Sequence, residues 1–298
     1  MFNILSLGKF KKVTTSFFVG ASIGILSPII FTSSRALAAS SQIGIPTGAA
    51  TALQTLANQG ITPKTIAFAP NAGWVILNGN NGWNSENIPQ EATKLLSTLT
   101  LNKQNSTINT IAFTRSGEWV IIYDGNAFSW STNFPKDVVN QLKTLNQNKS
   151  TINTVAFTPN GQWIILSNGG NTANWSTNFP KDAVNEIKAI YKIYPYIKTI
   201  AFTPNGAWVI FYANGYGNTG YAYSSGISQL ATSTIVNDSK AGYRLINIAF
   251  TPSNGWALLD LSPQEIQLQN LEIQQEIELD QIQGEAFKNR AAATLNEI

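Results

Sequence analysis

Five near-copies of one short hairpin run along the chain, and they restrict the fold more than any other feature. The segments TIAFAPNAGWVIL, TIAFTRSGEWVII, TVAFTPNGQWIIL, TIAFTPNGAWVIF and NIAFTPSNGWALL place Phe at 68, 113, 157, 202 and 250, at spacings of 45, 44, 45 and 48 residues. A fixed period of this length marks a fold built from repeated supersecondary units. Each copy reads as two strands around a tight turn. The first strand alternates, with Ile111 and Phe113 set against Ala112 and Thr114. The Thr-Pro-Asn-Gly turn places Pro where φ near −65° is wanted and Gly where φ is positive. The second strand is continuously apolar after its Trp, which predicts burial on both faces.

A third, shorter strand follows an Asn/Gly turn, as in Phe128-Ser129-Trp130-Ser131 and Asn174-Trp175-Ser176. A helix then begins at a proline. From Pro135 the apolar residues are Val138, Val139, Leu142 and Leu145, and from Pro180 they are Ala183, Val184, Ile187 and Ile190. Offsets of three, four, seven and ten make one apolar face. Proline suits a helix start, and Asp137 and Asp182 complement the N-terminal dipole. The unit is therefore β-β-β-α.

The last copy, ending near Asp260, has two clear strands and lacks its third strand and helix. SSQIGIPTGAATALQTLANQ, from Ser40 onward, reads as the missing piece, with Ala49, Ala50, Leu53 and Leu56 at the helix offsets from Pro46. Two half-units that sum to one are needed by a closed ring, not by an open solenoid. The expected fold is a β-propeller, mainly β with one helix per repeat. Its five β-β-β-α repeats close by sharing one blade between the termini. The hairpin IAFTPNGxW resembles the WD40-type propeller repeat. The pattern F-x-P-N-G-x-aromatic with a following aromatic strand also resembles five-bladed lectins of the tachylectin-2 type. The sequence departs from both: the Gly-His and Trp-Asp signatures of WD40 are absent, and a helix stands where a fourth strand would be.

Flanking segments complete the organisation. Residues 1–38 read as a signal peptide: Lys9, Lys11 and Lys12, an apolar run from Val13 to Phe31, then Ala36-Leu37-Ala38 as a cleavage site. This predicts export, to the periplasm or outside the cell, with the membrane met only through that signal. Residues 39–260 form the repeat ring, and 261–298 a Gln/Glu-rich acidic tail, helical or disordered. The signal holds four of the 19 Lys and Arg and none of the 16 Asp and Glu, so the remaining chain has net charge −1. The high pI is thus a property of the targeting segment, and no nucleic-acid partner is expected.

Composition limits the chemistry. There is no Cys and no His, which excludes thiol nucleophiles, Ser-His pairs and the usual zinc and haem ligands. No cofactor and no metal are expected, since the Asn/Gly loops contain Asp124 as their one acid and hard cations need more carboxylate. One Trp column, Trp74, Trp119, Trp163, Trp208 and Trp256, occurs in every copy and is assigned to packing between blades. A second, Trp83, Trp130, Trp175 and Tyr223, lies on the third strand, with Ser41 in the split blade and Trp83 offset by one from its proline. With Asn133 and Asn178 nearby, these rings suit stacking against neutral sugars, or else they seal each sheet against its helix. A propeller glycosidase would need two carboxylates near the axis, with Glu86, Glu118, Asp124 and Asp260 as the candidates that break the repeat. The reading adopted is an exported, non-enzymatic interaction module with a protein partner. A multivalent glycan-binding lectin is the alternative and a glycoside hydrolase the further one.

Overall fold

The computed structural model describes residues 40–101, 106–213 and 219–271, with 274, 275, 277, 278 and 281. The expected signal peptide and most of the acidic tail lie outside the described residues. Five three-stranded antiparallel sheets make up the repeat region. Blade 1 is β2 (Pro63–Phe68), β3 (Trp74–Asn78) and β4 (Gly82–Glu86). Blade 2 is β5 (Ile108–Phe113), β6 (Trp119–Tyr123) and β7 (Ala127–Trp130), and blade 3 is β8 (Ile152–Phe157), β9 (Trp163–Ser167) and β10 (Thr172–Trp175). Blade 4 is β11 (Tyr196–Phe202), β12 (Trp208–Ala213) and β13 (Thr219–Tyr223). Blade 5 joins β14 (Arg244–Phe250) and β15 (Trp256–Leu261) to β1 (Ser40–Ile43).

The first strand of each blade is innermost. β2 touches β5, β5 touches β8, β8 touches β11, β11 touches β14, and β14 returns to β2, which closes the ring. The chain is a five-bladed β-propeller with its termini sharing a blade. β1 runs antiparallel to β15, with Ser41 opposite Leu258 and Gln42 opposite Ala257. That pairing covers the edge β15 would otherwise present to solvent.

The apolar middle strands follow from this geometry. Trp119 and Ile121 pack with Val75 and Leu77 of blade 1, while Val120 and Ile122 pack toward Val155, Trp163 and Ile165 of blade 3. Successive residues point to opposite faces, and here each face meets another blade. A continuous apolar run is the necessary consequence.

Helices α1 (Thr47–Asn58), α2 (Gln90–Leu101), α3 (Lys136–Gln147), α4 (Lys181–Tyr191) and α5 (Gln229–Lys240) link the blades. In α3 the buried face is Val138, Val139, Leu142 and Leu145, which joins the core between blades 2 and 3. Burying each Leu contributes about 1.5–3 kcal/mol. The prolines take the N-cap position: Pro46, Pro135 and Pro180 have φ of −54°, −57° and −52° with extended ψ. α5 is capped differently, by Ser228, whose hydroxyl accepts from Ala231 N at 3.2 Å. After β15 the chain turns into a further helical segment from Pro263. Ser262 and Glu265 form a capping box there: Glu265 Oε2 accepts from Ser262 N at 2.8 Å, and Ser262 Oγ accepts from Glu265 N at 3.2 Å.

Candidate functional site: the two ends of the axis

Each inner strand ends in Phe, and the hairpin turn follows at one end of the ring. Phe68, Phe113, Phe157, Phe202 and Phe250 therefore converge on the axis, with Pro70, Pro159, Pro204 and Pro252 around them. They line an opening of about 220 Å³. All five rings are half-buried. The residue preceding a helix proline holds some of them: Phe134 meets Phe157 edge-on at 5.6 Å, and Phe179 meets Phe202 the same way at 5.6 Å. Arg115 stands where the other four turns carry proline and is exposed at this mouth.

The turns are built by a threonine. Thr114, Thr158, Thr203 and Thr251 each accept, through Oγ1, from the backbone N–H four residues on, at 2.8–3.1 Å. Thr114 also donates to Glu118, and its hydroxyl holds the Glu118 carboxyl below the usual range. Ala69 takes this place in blade 1 and brings no hydroxyl.

The opposite end of the axis has a different surface. In every blade the register skips one residue between the inner and middle strands, and the skipped residues are Lys64, Asn109, Asn153, Lys198 and Ile246. These are bulges, about 13 Å along the strand from the Phe ring. Asn109 accepts from Gly125 N at 3.0 Å and Asn153 from Gly169 N at 2.8 Å. Lys64 donates to the carbonyl of Ile108.

The outer-strand aromatics do not form one equivalent column. Trp130, Trp175 and Tyr223 lie opposite Val120, Ile164 and Val209, each one past the blade's Trp. Trp83 lies opposite Leu77, and the residue opposite Val75 is Ser85. Trp83 is thus displaced by two strand positions, not one, because Ser85, the residue at the column position, precedes its helix proline by four residues where Trp130 and Trp175 precede theirs by five. In the split blade the equivalent residue is Gln42 rather than Ser41. Trp83 donates to Thr100 Oγ1 on α2 at 3.0 Å, and Trp175 packs against the core between blades 3 and 4. Trp130 is 38% exposed and Tyr223 40%, and each stacks on its neighbour along the strand, Phe128 and Tyr221. Trp130 and Asn133 share a cleft with Asn140 and Lys143, whose Nζ lies 6.0 Å from the ring centre. Asn178 is exposed.

The five inner Trp side chains are all buried. Trp163 Nε1 donates to Asp137 at 2.6 Å and Trp208 Nε1 to Asp182 at 2.8 Å. The two aspartates thus latch a helix start to the next blade, beyond complementing its dipole.

The carboxylates that break the repeat are dispersed. Glu86 accepts from Trp74 Nε1 at 3.1 Å, and Asp124 accepts from Ser106 Oγ at 3.2 Å and Thr107 N at 2.8 Å. Asp260 is 2% exposed, and burial, with Asp238 and Glu265 beside it, pushes its carboxyl up to about 8. A sugar cannot reach it. Among the described residues no group of three acids is arranged to hold a metal.

A WD domain, G-beta repeat family model matches residues 139–174. That stretch runs from the middle of α3 through all three strands of blade 3. The repeat is WD40-like. A solved structure, YCF48 bound to D1 peptide, is similar at 11% identity over 74% of this chain and 82% of that one, with a TM-score of 0.25. No curated protein matches the chain.

Sequence reasoning pointed to the variable Asn/Gly loops after each second strand and to the central channel, but not to the ring of Phe and Pro at one mouth of this WD40-like ring or to the bulge residues at the other. The five Phe were visible as repeat markers, but their convergence follows only from ring closure. The break of the proline pattern at Arg115 was the signal available for the mouth.

Proposed function

We propose that the ring is a non-enzymatic protein-binding module whose docking surface is the Phe-Pro mouth. The observation that carries the reading is the convergence of five half-buried Phe rings on an opening of about 220 Å³ beside the exposed Arg115. Small-molecule sites are commonly 300–1,000 Å³, so this opening suits a single side chain, not a whole metabolite. The occupant is a protein segment that inserts an apolar side chain at the axis and sets an adjacent carboxylate against Arg115. Aromatic pockets with a neighbouring Arg are the composition of interface hot spots. Export, to the periplasm or outside the cell, is part of the proposal and rests on the basic, apolar and Ala-Leu-Ala segments of residues 1–38.

The test is a panel of fluorescent peptides pairing one aromatic or aliphatic residue with a neighbouring Asp or Glu. Saturable binding that weakens in Arg115→Glu and in Phe157→Leu, at unchanged unfolding temperature, supports the reading. No binding across the panel, or binding indifferent to Arg115→Glu, overturns it.

A second reading has its own observation. Trp130 is 38% exposed and shares a cleft with Asn133 and Asn140, an aromatic-and-amide lining that suits a neutral sugar with its hydroxyls bound by the amides. Glycan-array binding lost in Trp130→Ala supports that lectin reading, and its absence in folded protein removes it.

A further inference from the structure

The bulge end of the axis breaks the repeat in a way that packing does not explain. At this position Asn109 and Asn153 act as acceptors and close the turn between middle and outer strands of their own blades. Lys198 replaces that acceptor with three donors. Among the described residues its one partner is Thr219 Oγ1, at 2.7 Å. Lys64, at the same place in blade 1, has the carbonyls of Ile108 and Asn80. Among the described residues, Lys198 thus keeps donor capacity unused.

Arg244, on the neighbouring blade, faces it across a cleft of about 360 Å³ lined also by Asn153, Gly169, Ile197, Leu245 and Ile246. Arg244 Nε is buried without a hydrogen-bond partner among the described residues. The two cations repel each other, and burial together with Arg244 lowers the Lys198 ammonium to about 8. Among the described residues no acidic side chain lines the cleft. Unshared, desolvated cations of this kind are destabilising by themselves, and an anion between them removes both the repulsion and the unmet donors.

We propose that the cleft between Lys198 and Arg244 binds a small oxyanion, a carboxylate or a phosphate. The planar guanidinium offers paired donors to either group, and the ammonium adds a point charge. The site lies at the end of the ring opposite the Phe-Pro mouth and is independent of the docking reading.

Isothermal titration of the full chain with inorganic phosphate and, separately, with malonate tests the proposal, and the two arms distinguish the anion classes. The expected result is saturable binding in at least one arm, about tenfold or more weaker in Lys198→Met and in Arg244→Leu, and retained in Lys198→Arg. Proton uptake near pH 8, read from the buffer dependence of the heat, accompanies binding, because the anion holds Lys198 charged. Lys198→Met removes a repelling charge, so its unfolding temperature is expected to hold or rise, which keeps the comparison valid if Arg244→Leu fails to fold. No saturable heat in either arm, or equal affinity in folded Lys198→Met, overturns the proposal.

Discussion

The Glu86 carboxylate occupies the space that a β-carbon on Gly48 would need. Gly48 is the second residue of α1, the place held by Asp137 in α3 and Asp182 in α4. Those two aspartates accept from Trp163 and Trp208, and in the first blade Glu86 reaches in from β4 to accept from Trp74 instead. The same hydrogen bond is therefore made from a helix in two blades and from an outer strand in a third.

This predicts a compensated exchange. Glu86→Ala should lower stability by about 1–3 kcal/mol, since it orphans a buried indole N–H. Gly48→Asp alone should also destabilise, because its side chain displaces Glu86. The double variant should recover most of the loss, and a double-mutant cycle in urea measures the coupling.

Asp137→Ala and Asp182→Ala should each cost about 1–3 kcal/mol for the same reason. Trp163 and Trp208 are 6% and 5% exposed, so water does not replace the lost acceptor. Denaturant midpoints check this, with Lys136→Ala, at an exposed neighbouring position, as the neutral control.

Stability should pass through a minimum near pH 8. Asp260 is raised to about 8 by burial and by Asp238, so the folded state binds its proton more tightly than the unfolded state. Stability from this group falls as pH rises from about 4 to about 8. Lys198 is lowered to about 8, so between pH 8 and 10 the unfolded state binds more protons and stability rises again. Asp260→Asn should flatten the lower limb and Lys198→Met the upper one, as read from unfolding temperature against pH.

Removing Ser40–Ile43 should lower the unfolding temperature and promote self-association. β15 would then present an unpaired apolar edge, the usual template for strand addition. Size-exclusion chromatography with light scattering distinguishes this from simple loss of stability, which would leave a monomer.

Much of the fold was legible in the chain because the repeat writes each unit's pattern five times. The alternation ending at Phe113, the apolar run after Trp119 and the helix face from Val138 to Leu145 are local periodicities, and each became the element expected. The split blade was legible because Ser40–Leu56 lines up with the segment missing after Asp260. The site was less so. Counting from the helix proline set Trp83 one residue from its column, whereas the strand register places it two away, since a shortened connection shifts the count.

The sequence by itself determined the unit, its number and the need for closure, because backbone period and turn chemistry act over a few residues. Only the tertiary structure decided which of those residues meet. Closing the ring brings Phe68 and Phe157 to one opening though they are 89 positions apart, and it sets Lys198 against Arg244 from separate blades. It also lets Glu86 stand in for an acid that α1 lacks. Such meetings depend on distances across blades, and no local pattern encodes those.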